Sequence, residues 1–174
     1  MAGGPPRILV TLGTVNAGRR AELLATLLDG LEPLDAELVV AVGPGVAPSR
    51  LGPRRPGVHV VEYVPFGRLL PTTDLVVGHA GAGTMLAALG AGRPMVLLPF
   101  AADQPQNAAA CRDAGAALVI EREGWTGDRI RSTVEAALAM PSLAEAALRI
   151  RAEIQAMPGP AQVVTRLERI VASR

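Results

Sequence analysis

The sequence contains no lysine, one cysteine and only four aromatic residues among its 174 residues. The seventeen basic residues are therefore all arginine, which indicates codon bias in a GC-rich genome. A single cysteine excludes an internal disulfide, and the alanine-rich helical pattern around Cys111 predicts a buried, unreactive thiol. Hydrophobic residues make up 49% of the chain, so the core has to be aliphatic. This composition is typical of an α/β interior in one domain.

A strong charge bias and a long apolar run are also absent. The net charge is +1, and the scattered arginines form no basic stripe that could follow a nucleic-acid backbone. No apolar run approaches the ~20 residues of a transmembrane helix. The N-terminus lacks the charged and then apolar layout of a signal peptide. We therefore expect a cytoplasmic protein that binds neither nucleic acid nor membranes.

Short apolar segments recur along the chain and predict six buried strands. They lie at residues 7–12, 36–43, 58–64, 74–79, 94–99 and 116–120. Segments of helical composition lie between and after them, at 19–30, 81–91, 104–114, 127–139, 142–156 and 161–172. The alternation predicts an α/β fold with a doubly wound, Rossmann-like parallel sheet of about six strands, in the order 3-2-1-4-5-6, with helices on both faces.

Glycine and proline mark the remaining segments. Residues 1–6 resemble a linker, which leaves 7–174 as one domain. The Gly- and Pro-rich stretch between the second and third strands predicts a long loop or a broken helix. Pro158 and Pro160 must interrupt the C-terminal helices, because proline lacks a backbone donor and clashes with the preceding turn.

Two glycine-bearing loops are predicted to meet at one edge of this sheet. Strands 1 and 4 lie side by side in the predicted order, and ligands bind beyond their carboxyl ends. Strand 1 runs into Gly13, and strand 4 runs into His79 and the segment "GAGT". Gly81 and Gly83 permit a tight turn that exposes backbone amides at a helix start, which favours an anion, preferably phosphate. A purely structural histidine at a strand end is the alternative for His79.

A dinucleotide site is a second interpretation of the same loop. The fingerprint requires a third glycine where this sequence has Leu86, and the acidic Asp103 follows a proline in a predicted loop. The match to an NAD-dependent oxidoreductase domain is therefore partial. A Walker-type "GKS" sequence is absent from the chain.

A longer stretch is specific to one family. "HAGAGT", followed by "GRPMVLLPFAADQPQNA" up to residue 108, resembles the nucleotide-sugar signature of GT-B fold glycosyltransferases of family 1. The sequence is most similar to bacterial enzymes that decorate antibiotics and other secondary metabolites. The likeness runs from "VTLGT" to "GAALVIERE" and so covers nearly the whole chain.

The resemblance implies a role for each matching position. The donor diphosphate would be held by His79 and the amides near it, and by a second loop, through Gly81, Ala82, Gly83, Thr84, Gly13 and Thr14. Asp103 and Gln104 would bond hydroxyls of the donor sugar. Tyr63 would lie against the base, and the backbone of Val64 would bond the base edge. Asp103 as a helix cap and Tyr63 as a cover for the sheet edge are the structural alternatives.

Ala87 departs from the pattern of this family in an informative way. UDP-sugar enzymes of the family commonly have glutamate eight residues after the histidine, where it bonds ribose hydroxyls. Alanine cannot form such bonds, and a deoxyribose lacks the 2′-hydroxyl. The resemblance therefore implies a dTDP-sugar donor, with a UDP-sugar as the alternative, because backbone groups or water can also bind a ribose.

Catalytic residues are not found in the sequence. No Asp-x-Asp pair is present to hold a divalent metal, so we expect transfer without metal or cofactor, with the diphosphate neutralised by His79 and the helix end. No candidate general base is found, and His59 fits a structural position in the third strand.

In the family the base and the acceptor pocket belong to an N-terminal domain. We therefore expect this chain to be the C-terminal, donor-binding half, inactive by itself, whose partner domain lies in cis or in trans. We also expect that two copies of the chain form a homodimer. A subunit of a split glycosyltransferase and a non-catalytic nucleotide-binding module remain as alternatives.

Overall fold

The computed structural model describes residues 4–13 and 17–172, the first four of the second range by their backbone alone. All neighbouring strands pair in parallel, in the order β3-β2-β1-β4-β5-β6. The strands are β1 (Arg7–Thr11), β2 (Glu37–Ala41), β3 (Val58–Val61), β4 (Leu75–Gly78), β5 (Met95–Leu97) and β6 (Ala117–Val119). The predicted sheet and strand order are confirmed.

Helices connect the strands and close the chain. In the described ranges they are α1 (Ala17–Leu31), α2 (Phe66–Leu69), α3 (Ala82–Gly90), α4 (Gln104–Asp113), α5 (Gly127–Leu138), α6 (Pro141–Ala156) and α7 (Pro160–Ala172). The Gly- and Pro-rich link is a loop with one 3-10 turn, Pro48–Leu51, as predicted. The sequence analysis missed α2, because its four residues are too few to show helical periodicity.

The sheet is covered by helices on both faces. Ile8 and Val10 of β1 pack with α1 and α5, whereas Leu9 packs on the opposite side with α3, α4 and α6. All three side chains are fully buried. Successive side chains of a strand point to opposite faces, so one short apolar segment contributes to both hydrophobic cores. Both cores are mainly aliphatic.

Helix α7 differs from the others in its exposure. It begins at Pro160, so the predicted interruption at 158–160 is confirmed. Every described residue of α7 is exposed. Apolar side chains are among them: Val163, Val164, Leu167, Ile170 and Val171. Among the described helices, none is both long and apolar enough to cross a membrane.

Candidate functional site

A cleft opens at the carboxyl ends of β1 and β4. Thr11 of β1 pairs with Gly78 of β4, so the loops that follow these two residues lie side by side. The cleft has a volume of about 430 Å³ and is lined by Thr11, Gly13, Ala41, Gly43, Pro44, Glu62, Tyr63, Val64, Phe66, His79, Gly81, Ala82, Gly83 and Thr84. The predicted meeting of the two glycine-bearing loops is confirmed. Thr14 lies outside the described residues.

The ring of His79 lies between two glycines. A Cβ on Gly13 would come within 2.7 Å of the Cε1 atom of His79, and a Cβ on Gly81 would overlap Nε2. Only 8% of His79 is exposed. Any larger residue at either glycine would displace the ring. These glycines therefore make room for His79, a role that the sequence analysis did not assign to them.

The left-handed residue of the β4–α3 turn is Ala80, with φ 63°. Of the two glycines that the sequence analysis placed at this turn, Gly81 has φ −65° and Gly83 lies inside α3. Neither glycine therefore adopts the left-handed conformation of the turn. Alanine pays about 1–2 kcal/mol in this region, because its Cβ approaches the following carbonyl oxygen. The carbonyl of Ala80 accepts a hydrogen bond from Asn107 Nδ2 at 3.0 Å.

The amino end of α3 faces the cleft. Its first helical bond runs from the Met85 amide to the Gly81 carbonyl at 3.0 Å. The amides of Ala82, Gly83 and Thr84 therefore precede the hydrogen-bond ladder of the helix. All three residues line the cleft, next to His79. Unused amides at the positive end of a helix form a suitable site for an anion such as phosphate.

Another part of the cleft is lined mainly by apolar and aromatic residues, together with the charged Glu62. Ala41 is the last residue of β2, Gly43 and Pro44 follow that strand, and Tyr63 and Val64 follow β3. Tyr63 is 78% exposed, so it does not pack into the sheet edge as the structural alternative required. An exposed aromatic ring beside a cleft suits stacking against a planar ligand.

Asp103 and Gln104 do not line this cleft. The side-chain oxygen of the buried Gln104 accepts bonds from the amides of Phe100 and Ala101, at 3.0 and 3.1 Å. Asp103 occupies the N-cap position of α4, but its carboxylate makes no capping bond to a described residue. It accepts instead from Asn107 Nδ2 at 2.9 Å. Helix capping is therefore not what Asp103 does, and sugar binding by both residues stays a prediction.

The other reactive side chains are a buried thiol and an exposed imidazole. Cys111 is buried in α4, and this burial raises the pKa of its thiol, as expected of an unreactive cysteine. His59 lies in β3, exposed, with Nε2 3.5 Å from the Glu37 carboxylate. Across 4–13 and 17–172, no three His, Cys, Asp or Glu residues are grouped to hold a metal ion. Transfer without metal stays a prediction.

Residues 25–170 match the family described as "Erythromycin biosynthesis protein CIII-like, C-terminal domain". The chain belongs to this family. A related protein, tylactone mycaminosyltransferase from Streptomyces fradiae, is 39% identical over 173 residues, which are 97% of this chain and 38% of the relative. This CIII-like domain therefore spans less than half the length of that relative.

Solved glycosyltransferases share the fold. The spinosyn rhamnosyltransferase SpnG complexed with thymidine diphosphate matches with a TM-score of 0.87 and 29% identity, over 95% of this chain and 45% of SpnG. The glycosyltransferase VinC in complex with dTDP matches with a TM-score of 0.86 and 29% identity, over 100% of this chain and 43% of VinC. The CIII-like domain thus corresponds to one half of the GT-B fold.

Two residues of this CIII-like domain escaped the sequence analysis. The ring of Phe100 lies 5.9 Å from that of His79, and the ring of Trp125 meets Phe100 edge-on at 6.3 Å. Asn107 bridges Ala80 and Asp103. Both Phe100 and Asn107 lie inside the quoted signature, so the motif was visible. Their partners were not, because the contacts join segments that are up to 27 residues apart.

Proposed function

We propose that this domain is the donor-binding half of a glycosyltransferase that transfers a deoxysugar from a dTDP-sugar to a small-molecule acceptor. One observation carries the proposal: His79 and the three leading amides of α3 line the same cleft as Tyr63. A diphosphate at one end and a base at the other are the two features that a nucleotide-sugar presents.

The diphosphate end follows from electrostatics. Glycosyl transfer expels a nucleoside diphosphate, so negative charge grows on the phosphate oxygens in the transition state. Donors that are already oriented stabilise this charge without reorganisation. The end of α3 contributes about 0.3–2 kcal/mol per anion contact, and His79, held between Gly13 and Gly81, adds a fixed donor. Thr14, which lies outside the described residues, is a further candidate for the diphosphate on the family pattern.

The base and the sugar occupy the two sides of this diphosphate. Tyr63 stacks on the base, and the backbone of Val64 bonds the base edge. Asp103 and Gln104 reach the sugar hydroxyls. Because the side-chain oxygen of Gln104 already accepts two amide bonds, its contribution to the sugar comes from Nε2. The exposed carboxylate of Asp103 accepts from hydroxyl groups.

The preference for dTDP rests on Ala87. It follows Gly83 by four residues and so lies on the same side of α3 as that cleft residue. Ala87 packs partly against the core and ends in a methyl group, which cannot accept a bond from a ribose hydroxyl. The thymidine diphosphate in SpnG and the dTDP in VinC support the same donor class.

The acceptor pocket and the general base belong to an N-terminal domain of the full-length protein. Two observations support this part of the proposal. The chain spans only 38% of tylactone mycaminosyltransferase, which leaves room for a second domain. The apolar side of α7, with Leu167 at 56% and Val171 at 74% exposure, is also suited to pack against another domain.

Calorimetric titration of the chain with dTDP, UDP and NAD tests this function. We expect dTDP to bind more tightly than UDP, and NAD not to bind. His79→Ala should lower dTDP affinity about ten- to hundredfold, the range for a lost hydrogen bond to a charged group. His59→Ala is the matched control, since the other histidine is exposed on β3 and should leave affinity unchanged.

A second substitution addresses the donor type. Ala87→Glu should increase UDP affinity relative to dTDP, because a carboxylate can then accept from the ribose hydroxyls. An unchanged ratio would remove the argument from Ala87. Tight binding of NAD without any response to dTDP would instead favour a dinucleotide domain and contradict the proposal as a whole.

A further inference from the structure

Asn107 joins α4 to the loop that follows β4. Its side-chain nitrogen donates to the carbonyl of Ala80 at 3.0 Å and to Oδ2 of Asp103 at 2.9 Å. Both hydrogens of the amide are thus engaged, one by each partner. The side chain is half-buried, while Asp103 is exposed. One amide therefore connects a surface carboxylate with a backbone group beside His79.

The carbonyl that Asn107 holds determines the direction of an amide. The Ala80 carbonyl and the Gly81 N–H belong to one peptide group, and in a trans peptide they point in opposite directions. Holding the carbonyl toward α4 therefore turns the Gly81 N–H away from α4. Gly81 and its neighbour His79 both line the cleft.

The conformation of Ala80 makes the hydrogen bond from Asn107 necessary. It is 2% exposed and adopts φ 63°, a conformation that alanine rarely takes. Backbone in such a region persists only where the surroundings over-determine it. Without the bond from Asn107, the peptide between Ala80 and Gly81 would be free to rotate toward an ordinary conformation, and its N–H would change direction.

We infer that Asn107 is a positioning residue of the diphosphate site, and that Asp103 acts on this site by orienting the Asn107 amide. The inference rests on the proposed function, since it names how the same cleft is kept in shape. Asp103 then influences the binding of a nucleotide that carries no sugar. A role limited to sugar hydroxyls would give Asp103 no such influence.

Titrations with dTDP and with thymidine separate the diphosphate site from the base site. Asn107→Ala should lower dTDP affinity about fivefold, which is within the range for one neutral hydrogen bond, and leave thymidine affinity unchanged. Gln106→Ala is the matched control, because it shortens an exposed amide side chain on the same helix. In a ¹H–¹⁵N spectrum, the Gly81 amide should shift in Asn107→Ala and not in Gln106→Ala.

Two substitutions of Asp103 test the orienting step. Asp103→Ala should weaken dTDP binding about threefold, because the Asn107 amide loses one of its two acceptors. Asp103→Asn keeps an oxygen acceptor and should restore most of the affinity. This pair also decides the matter if Asn107→Ala does not fold, since the Asp103 side chain is exposed.

The outcomes distinguish this inference from the proposed function. If the unaltered chain binds thymidine and dTDP equally well or not at all, the diphosphate site itself is absent and both statements fail. If the unaltered chain prefers dTDP but Asn107→Ala and Asp103→Ala keep that preference, only the positioning role is overturned. Equal losses for dTDP and thymidine would also overturn it, because they would indicate general loosening of the fold.

Discussion

Two pairs of glycines allow close contacts in this domain. One pair lies where two helices meet, and the other lies against a side chain. Gly30 of α1 approaches Gly127 of α5, where a Cβ on Gly30 would lie 2.5 Å from the Gly127 carbonyl oxygen. Gly13 and Gly81 instead enclose the imidazole ring of His79. The missing methyl group therefore allows close helix packing in one region and leaves space for the His79 ring in the other.

The largest effect is expected from Gly81→Ala. The added methyl overlaps Nε2 of His79, whereas the backbone at φ −65° accepts alanine without strain. We expect dTDP affinity to fall about hundredfold, as when the His79 donor is lost, while the melting temperature changes little. Calorimetric titration and thermal unfolding measure the two quantities.

A double substitution provides the control for Gly81→Ala. In a chain that already carries His79→Ala, the methyl at position 81 meets no ring, so Gly81→Ala should cause no further loss. Additive losses would show that the glycine is needed by the ligand or the backbone and not by His79.

Gly30→Ala is expected to have the opposite profile. The new Cβ meets backbone atoms of α5, which cannot rotate away, so overpacking should cost about 1–3 kcal/mol of unfolding free energy. A chain of this size should then melt about 2–4 °C lower per kcal/mol, while dTDP affinity is retained. Thermal unfolding gives the shift directly.

Cys111 offers an independent readout of Gly30→Ala. Burial raises the pKa of its thiol, so a thiol reagent reacts mainly when the fold opens. Labelling should be faster in Gly30→Ala than in Gly81→Ala. Equal labelling rates in the two variants would mean that the α1–α5 contact is not what this glycine protects.

The smallest effect is expected from Gly90→Ala. This glycine neither packs against another helix nor makes space for His79. Gly90 is the last residue of α3, on the same helix as the proposed diphosphate site, and a Cβ there meets nothing within 4 Å. Alanine should stabilise the chain by up to about 0.5–1 kcal/mol through helix propensity and leave dTDP affinity unchanged. Weaker dTDP binding would show that any change in α3 disturbs the cleft. The contrast between the two pairs of glycines would then not hold.

The regular elements were accessible from the chain because their signals are local. The alternation around Ile8, Leu9 and Val10 needs only neighbouring residues, and it predicts a buried strand with two packed sides. The order of strands followed from the rule for doubly wound sheets, which places the loops after β1 and β4 together. The helix α2 had no such signal, since it contains only four residues.

The hydrogen bonds within the site were not accessible from the sequence, for one common reason. The left-handed residue of the β4–α3 turn is Ala80, and its carbonyl accepts a hydrogen bond from Asn107 of another helix. Asp103 and Gln104 were recognised as a motif, but their hydrogen bonds run to Asn107 and to the loop at Phe100. Contacts between distant segments decide these conformations, and no local pattern contains them.

Hydrophobic periodicity and a few spaced motif residues were enough by themselves to predict a parallel α/β sheet and the edge where the cleft lies. They also placed His79, Gly81 and Gly83 at that edge. The folded chain alone decided what those residues do to one another: two glycines make space for an imidazole, and an asparagine holds a left-handed alanine. The physical reason is that periodicity reports burial along one segment, whereas steric exclusion and hydrogen-bond direction depend on which segments meet.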